Sequence, residues 1–133
     1  MKAQNVVLLA ATMLLAGCDT ARIEVPTHSS REVNQSEKAA VLHRLASDPS
    51  APGIMIEHIE GSEHRQTGVL TVCGYVTGIT PAGTRSRPAL FGGQIEPVPP
   101  YKFTPFAAPG KGQNNQRTAT LRSLCAADGL QVR

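Results

Sequence analysis

The chain has no tryptophan, two tyrosines and three phenylalanines, so aromatics make up only 4% of its 133 residues. A core made from this sequence must rest on Val, Leu, Ile and Ala. Long apolar runs are missing too. The one sustained run, VVLLAATMLLA at residues 6–16, is interrupted only by Thr12. As a helix it would rise about 16 Å against a hydrocarbon core of roughly 30 Å, which excludes a stable membrane span. No HExxH, CxxC or H-x-H spacing occurs, so the usual metal motifs are absent. No G-x-S-x-G elbow frames Ser62 or Ser86. Gly110-Lys111-Gly112 lacks the preceding strand-to-helix context and the following Ser or Thr of a phosphate loop. Lys and Arg are scattered without interleaved aromatics, which argues against a nucleic-acid partner. No internal repeat appears.

The amino terminus does carry a pattern. Lys2 is the only charge before Asp19, and small residues follow the apolar run. A short basic start, a 7–15 residue apolar stretch and a small-residue boundary describe a secretory signal peptide. Leu15-Ala16-Gly17-Cys18 closes the run. This segment resembles the lipobox of bacterial lipoprotein precursors. The resemblance implies diacylglycerol transfer to the Cys18 sulfur, cleavage between Gly17 and Cys18, and further acylation of the new amino terminus. A thiolate suits the acceptor role because it is a far better nucleophile than a hydroxyl. Two or three palmitate-type chains on one residue meet the requirement for stable anchoring, at about 0.8 kcal/mol per buried methylene. Asp19 resembles the residue that retains lipoproteins in the inner membrane of enteric bacteria. The expected organisation is a signal peptide at 1–17, a lipid anchor and flexible tether at 18–33, and one small domain at 34–133.

Once Cys18 is assigned to the anchor, two cysteines remain, Cys73 and Cys125. An exported chain meets an oxidising compartment, so an even pair reads as a disulfide. Closing that loop would contribute about 4 kcal/mol through chain entropy. Two free buried thiols, or a bridge to a partner, are the alternatives. Charge is also unevenly placed. Residues 18–64 hold four basic and eight acidic side chains, and residues 65–133 hold eight basic and two acidic. Either the two halves pack together and cancel, or the basic half faces an anionic partner.

Local patterns predict a small α+β domain with about 3–4 antiparallel strands, an N-terminal helix and a short C-terminal helix. Residues 34–47 read as a helix, with Asn34 and Glu37 placed for a capping box. Asp48-Pro49 ends it. Residues 54–60 read as a strand and 61–64 as a polar turn. Residues 68–77, GVLTVCGYVT, are the strongest strand, and Gly74 within it suggests a bulge or a close backbone approach. Residues 89–96 form a strand interrupted by Gly92-Gly93, and 101–107 a short edge strand limited by Pro105. Residues 108–117 read as a loop. Residues 118–127 read as a helix with Leu121, Leu124 and Cys125 at helical spacing, stopped near Gly129. A strand is the alternative there.

The order Asp48-Pro49-Ser50-Ala51, Val72-Cys73-Gly74-Tyr75-Val76, Phe91-Gly92-Gly93, a later Phe103 or Phe106 and a final cysteine resembles a group of small exported bacterial proteins. Tyr75, Thr77 and Gln94 depart from that pattern. The resemblance implies an α+β domain and a structural role for Cys73, and no activity.

The titratable candidates are His43, His58 and His64, with Glu57, Glu60 and Glu63 close in sequence. On a strand His58 and Glu60 share a face and Glu57 points away. A metal or enzyme site would need His58, Glu60 and His64 to converge. A solvated hairpin tip is the alternative. Cys73 adjoins Gly74 and is a conceivable nucleophile, but its strand location and expected bridge oppose that role. The expected function is therefore a membrane-anchored lipoprotein of the cell envelope, facing the periplasm. Its role would be non-enzymatic, binding or structural, with no cofactor. Its partners would be membrane lipid through Cys18 and an envelope protein. An envelope enzyme or metal-binding protein using His58, Glu60 and His64 is the second expectation.

Overall fold

The computed structural model describes residues 26–47, 49, 52–106 and 115–132. Cys18 and Gly17, the expected anchor and cleavage positions, lie outside the described residues. Seven elements follow in order: β1 (His28–Arg31), α1 (Gln35–Ala46), β2 (Met55–His64), β3 (Leu70–Thr77), β4 (Ala89–Ile95), β5 (Phe103–Pro105) and α2 (Asn115–Ala127). The strands form one antiparallel sheet in the order β1-β2-β3-β4-β5. The protein is α+β, with five strands among the described residues rather than three or four.

Strand alternation sends successive side chains to opposite faces, and here a helix covers each face. Leu70, Val72 and Val76 of β3 join Phe91 and Ile95 of β4, Phe103 of β5 and Val41 of α1. The intervening residues Cys73 and Tyr75 join Leu90 and, from α2, Leu121 and Cys125. Burial on both sides explains why β3 is the most apolar strand. Seven of its eight residues are buried.

Helix α1 begins as its sequence dictates. Asn34 Oδ1 accepts from the Glu37 N–H at 2.8 Å, and Glu37 Oε1 accepts from the Asn34 N–H at 3.0 Å. Both halves of the capping box are formed. Helix α2 ends in a Schellman turn. The Leu130 N–H donates to the Cys125 carbonyl at 2.9 Å and the Gly129 N–H to the Ala126 carbonyl at 3.0 Å. Gly129 takes the left-handed conformation that this turn requires, at φ +82°. The turn folds Leu130 and Val132 back into the α2-side core.

Four expectations need correction. The tether was placed through Val33, but His28–Arg31 forms β1 and Val33 is buried against the sheet. The segment lacks β-branched residues, so its pairing with β2 decides its state. Residues 61–64 continue β2 rather than turning; the turn falls at 65–67, closed by the His64 N–H on the Val69 carbonyl at 2.8 Å. Gly92-Gly93 does not interrupt β4, because Gly93 leaves room for the Phe103 ring beside it. Residues 115–117, expected in a loop, begin α2.

Gly74 sits where the ladder is irregular. The register of β2 against β3 shifts between Ile56 and His58, which makes Glu57 the extra residue of a bulge. A Cβ on Gly74 would collide with the His58 carbonyl, so β2 can approach this closely beside its bulge only because residue 74 is glycine.

Candidate functional site

The two expected bridging cysteines meet. Cys73 and Cys125 form a disulfide with Cα atoms 6.2 Å apart, and both are fully buried. The bridge ties the middle of β3 to the last turn of α2. Gly92 of β4 lies beneath it, where an added Cβ would stand 3.1 Å from Cys125 Sγ and 3.2 Å from Cys73 Sγ.

The expected histidine–carboxylate trio is only partly assembled. His58 and Glu60 share the α2-side face, as strand spacing requires, with Nε2 3.2 Å from Oε1. Both side chains are substantially exposed, at 53% and 39%. His64 lies at the far end of the same strand, about 20 Å away at the rise of an extended chain. His43 is exposed on α1, over the other face. Glu57 was expected to point away from His58. The bulge instead lets its carboxylate accept from the Thr77 hydroxyl at 2.7 Å, on the α2-side face. Among the described residues, no three His, Cys, Asp or Glu side chains are arranged to hold a metal ion.

His64 has other neighbours. It stands opposite His28 in the β1–β2 register, and the two rings meet edge to face with centroids 5.0 Å apart. His28 Nε2 is 3.3 Å from Asp128 Oδ1. The Thr71 hydroxyl donates to Asp128 Oδ2 at 2.6 Å. Both oxygens of Asp128 are thus engaged, and the residue joins the end of α2 to β1 and β3 together. His64 Nδ1 accepts the Thr67 N–H at 3.2 Å, which places the proton of the neutral ring on Nε2. His28 Nδ1 lies 3.0 Å from the Thr27 hydroxyl.

A hydroxyl, an imidazole and a carboxylate in line have the polarity of a nucleophile–base relay. Thr27, however, is exposed to open solvent rather than set in a cleft. The arrangement works as a clasp that fixes the start of β1. Neither His28 nor Asp128 was singled out from the sequence. His28 lies in the expected tether, and Asp128 is marked in the sequence only as the residue before the helix stop at Gly129. Their meeting depends on strand pairing that no local pattern encodes.

Beside the clasp the α2-side face is only partly covered. The turn at Gly129 and the segment after it leave a groove of about 460 Å³ against β1 and β2, with Ser30 and Glu60 on its wall. On the opposite face lies a second electrostatic device. Arg31 donates from Nη1 to Glu37 Oε1 at 2.9 Å and from Nη2 to Glu37 Oε2 at 2.7 Å. Glu37 is 3% exposed. The Arg31 hydrogen bonds hold the Glu37 carboxyl below its ordinary value; burial opposes them, and the Asn34 N–H assists. The capping carboxylate of α1 is therefore also the lock between α1 and β1.

Comparison with known proteins finds no matching family model, no matching curated protein and no matching solved structure.

Proposed function

We propose that this protein is a lipid-anchored component of a bacterial cell envelope, acylated at Cys18 and facing the periplasm. In this reading it has a non-enzymatic binding or structural role. The observation that carries the reading is the position of Leu15-Ala16-Gly17-Cys18 at the close of a short apolar run. The buried Cys73–Cys125 disulfide supports it, because such bonds persist in oxidising compartments outside the cytoplasm. The fold begins by His28, so the stretch between lipid and sheet is shorter than a tether through residue 33. A domain attached this way works close to the head groups. Asp19 favours retention in the inner membrane.

The test is metabolic labelling with an alkyne fatty acid in a bacterial host. The expected result is label on the wild-type protein, none on Cys18→Ser, and precursor accumulation when the lipoprotein signal peptidase is inhibited. Label-free wild type, or a Cys18→Ser protein that matures to the same size and stays with membranes, would overturn the reading.

A further inference from the structure

Helix α1 covers the Val41 side of the sheet but leaves a groove of about 660 Å³ between its own flank and the segment leading into β5. The floor is made by Ala39, Ala40 and Tyr101, and the rim carries His43, Arg44 and Lys102. Side chains at 36, 39, 40 and 43 recur at helical spacing, so one flank of α1 lines the whole groove. Small side chains there keep it open. The rim is cationic on both banks, from α1 and from the β5 approach. Among the described residues no carboxylate pairs with Arg44 or Lys102: every ion pair there belongs to Arg31, His28 or His58. Glu37, the one acid buried on α1, is turned to Arg31.

We propose that this groove binds the head group of an anionic membrane phospholipid. The phosphate would sit between Arg44 and Lys102, with His43 beside it. The glycerol and first methylenes would lie on Ala39, Ala40 and Tyr101. Charge complementarity selects the anion, and the apolar floor selects an amphiphile over a free ion. The inference deepens the anchored-envelope reading and rests on it for its biological setting. A domain held at the surface meets head groups at high effective concentration, so a weak site there is occupied. Each basic side chain near an anionic surface adds roughly fivefold to binding.

The test is vesicle flotation of the full chain carrying Cys18→Ser, which removes acylation from the measurement. Vesicles of phosphatidylcholine alone are compared with vesicles containing phosphatidylglycerol. The expected result is at least tenfold stronger retention on the anionic vesicles. That preference should be lost in Arg44→Glu/Lys102→Glu and kept in Arg44→Lys/Lys102→Arg. Thermal melts check that each variant is folded, and only folded variants are scored. Equal retention on the two vesicles, an unchanged preference in the charge-reversed variant, or displacement by inorganic phosphate at constant ionic strength would overturn the proposal. Failure of acyl labelling in cells with the vesicle preference intact would sink the anchor alone. Labelling without the preference would sink the groove alone.

Discussion

The two faces of the sheet are closed by different means. On the α1 side, Val41, Val72, Phe91, Ile95 and Phe103 interlock as an ordinary aliphatic and aromatic core. Phe91 and Phe103 meet edge to face with centroids 6.2 Å apart. On the α2 side the core is smaller, and its centre is a covalent bond. Beyond that cluster the face is polar. A row of paired residues, Ser30, Ser62, Thr71, Gln94 and Thr104, crosses all five strands. An aromatic-poor sequence has enough apolar volume to pack one face well. The second face is held by a smaller apolar cluster, one bridge and a few hydrogen bonds. Small domains often compensate for a limited core in this way.

The α2 side depends most directly on its bridge. Cys73→Ala/Cys125→Ala should lower unfolding stability by about 4 kcal/mol. Urea titrations should show it as a lower midpoint, with the same loss when the wild type is reduced. If reduction leaves the midpoint in place, the α2 face does not depend on its staple. The other face should respond to volume alone. Val72→Ala removes two methylenes at a fully buried site and should cost about 2.5 kcal/mol, with or without reductant. A cost that changes with redox state would mean that the two faces are coupled.

A third substitution sharpens the electrostatic side. Arg31→Ala leaves Glu37 buried without its bidentate partner and should cost about 2 kcal/mol, discounted because Arg31 is itself a third exposed. The pH dependence follows from the depressed Glu37 carboxyl. Its contribution is complete above the ordinary value of 4.5 and is lost as pH falls toward the lower native value. Acid titration of stability should therefore be shallower in Arg31→Ala than in the wild type. The smallest effect belongs to the clasp. The His28–Asp128 pair is partly exposed, so His28→Ala should cost about 0.5 kcal/mol in a thermal melt. A loss several times larger would make the start of β1 a structural keystone.

What could be read from the chain follows the range of the interactions involved. Helix α1 was legible because Asn34 and Glu37 settle its start within four residues. The bridge was legible because Cys73 and Cys125 are the two cysteines left once Cys18 is set aside as the lipobox residue. Gly74 announced the close backbone approach, and the bulge itself lies in the facing strand at Glu57. Gly61-Ser62 misled, because a glycine inside a strand looks like a turn until its neighbour is known. Here β1 passes so close that a Cβ on Gly61 would stand 2.8 Å from the Arg31 carbonyl. The same neighbour made β1 itself invisible, since His-Ser-Ser-Arg has no β propensity of its own. The Arg31–Glu37 lock, the His28–Asp128 clasp and the cation-rimmed groove all depend on which elements pack together. Local pattern carries no information about that.

The order of the strands has a mechanical consequence. The chain enters at an edge, and the strands then succeed one another without crossing. Tension applied ahead of His28 would peel β1 from β2 a few hydrogen bonds at a time, a weak unzipping geometry. It would next reach the Arg31–Glu37 lock and α1, which lie between β1 and β2 in the chain. Beyond that the Cys73–Cys125 link encloses β4, β5 and α2 in a closed ring with the second half of β3. A tugged molecule would yield at its leading strand and helix while the ringed portion stays intact, ready to re-dock when the load falls.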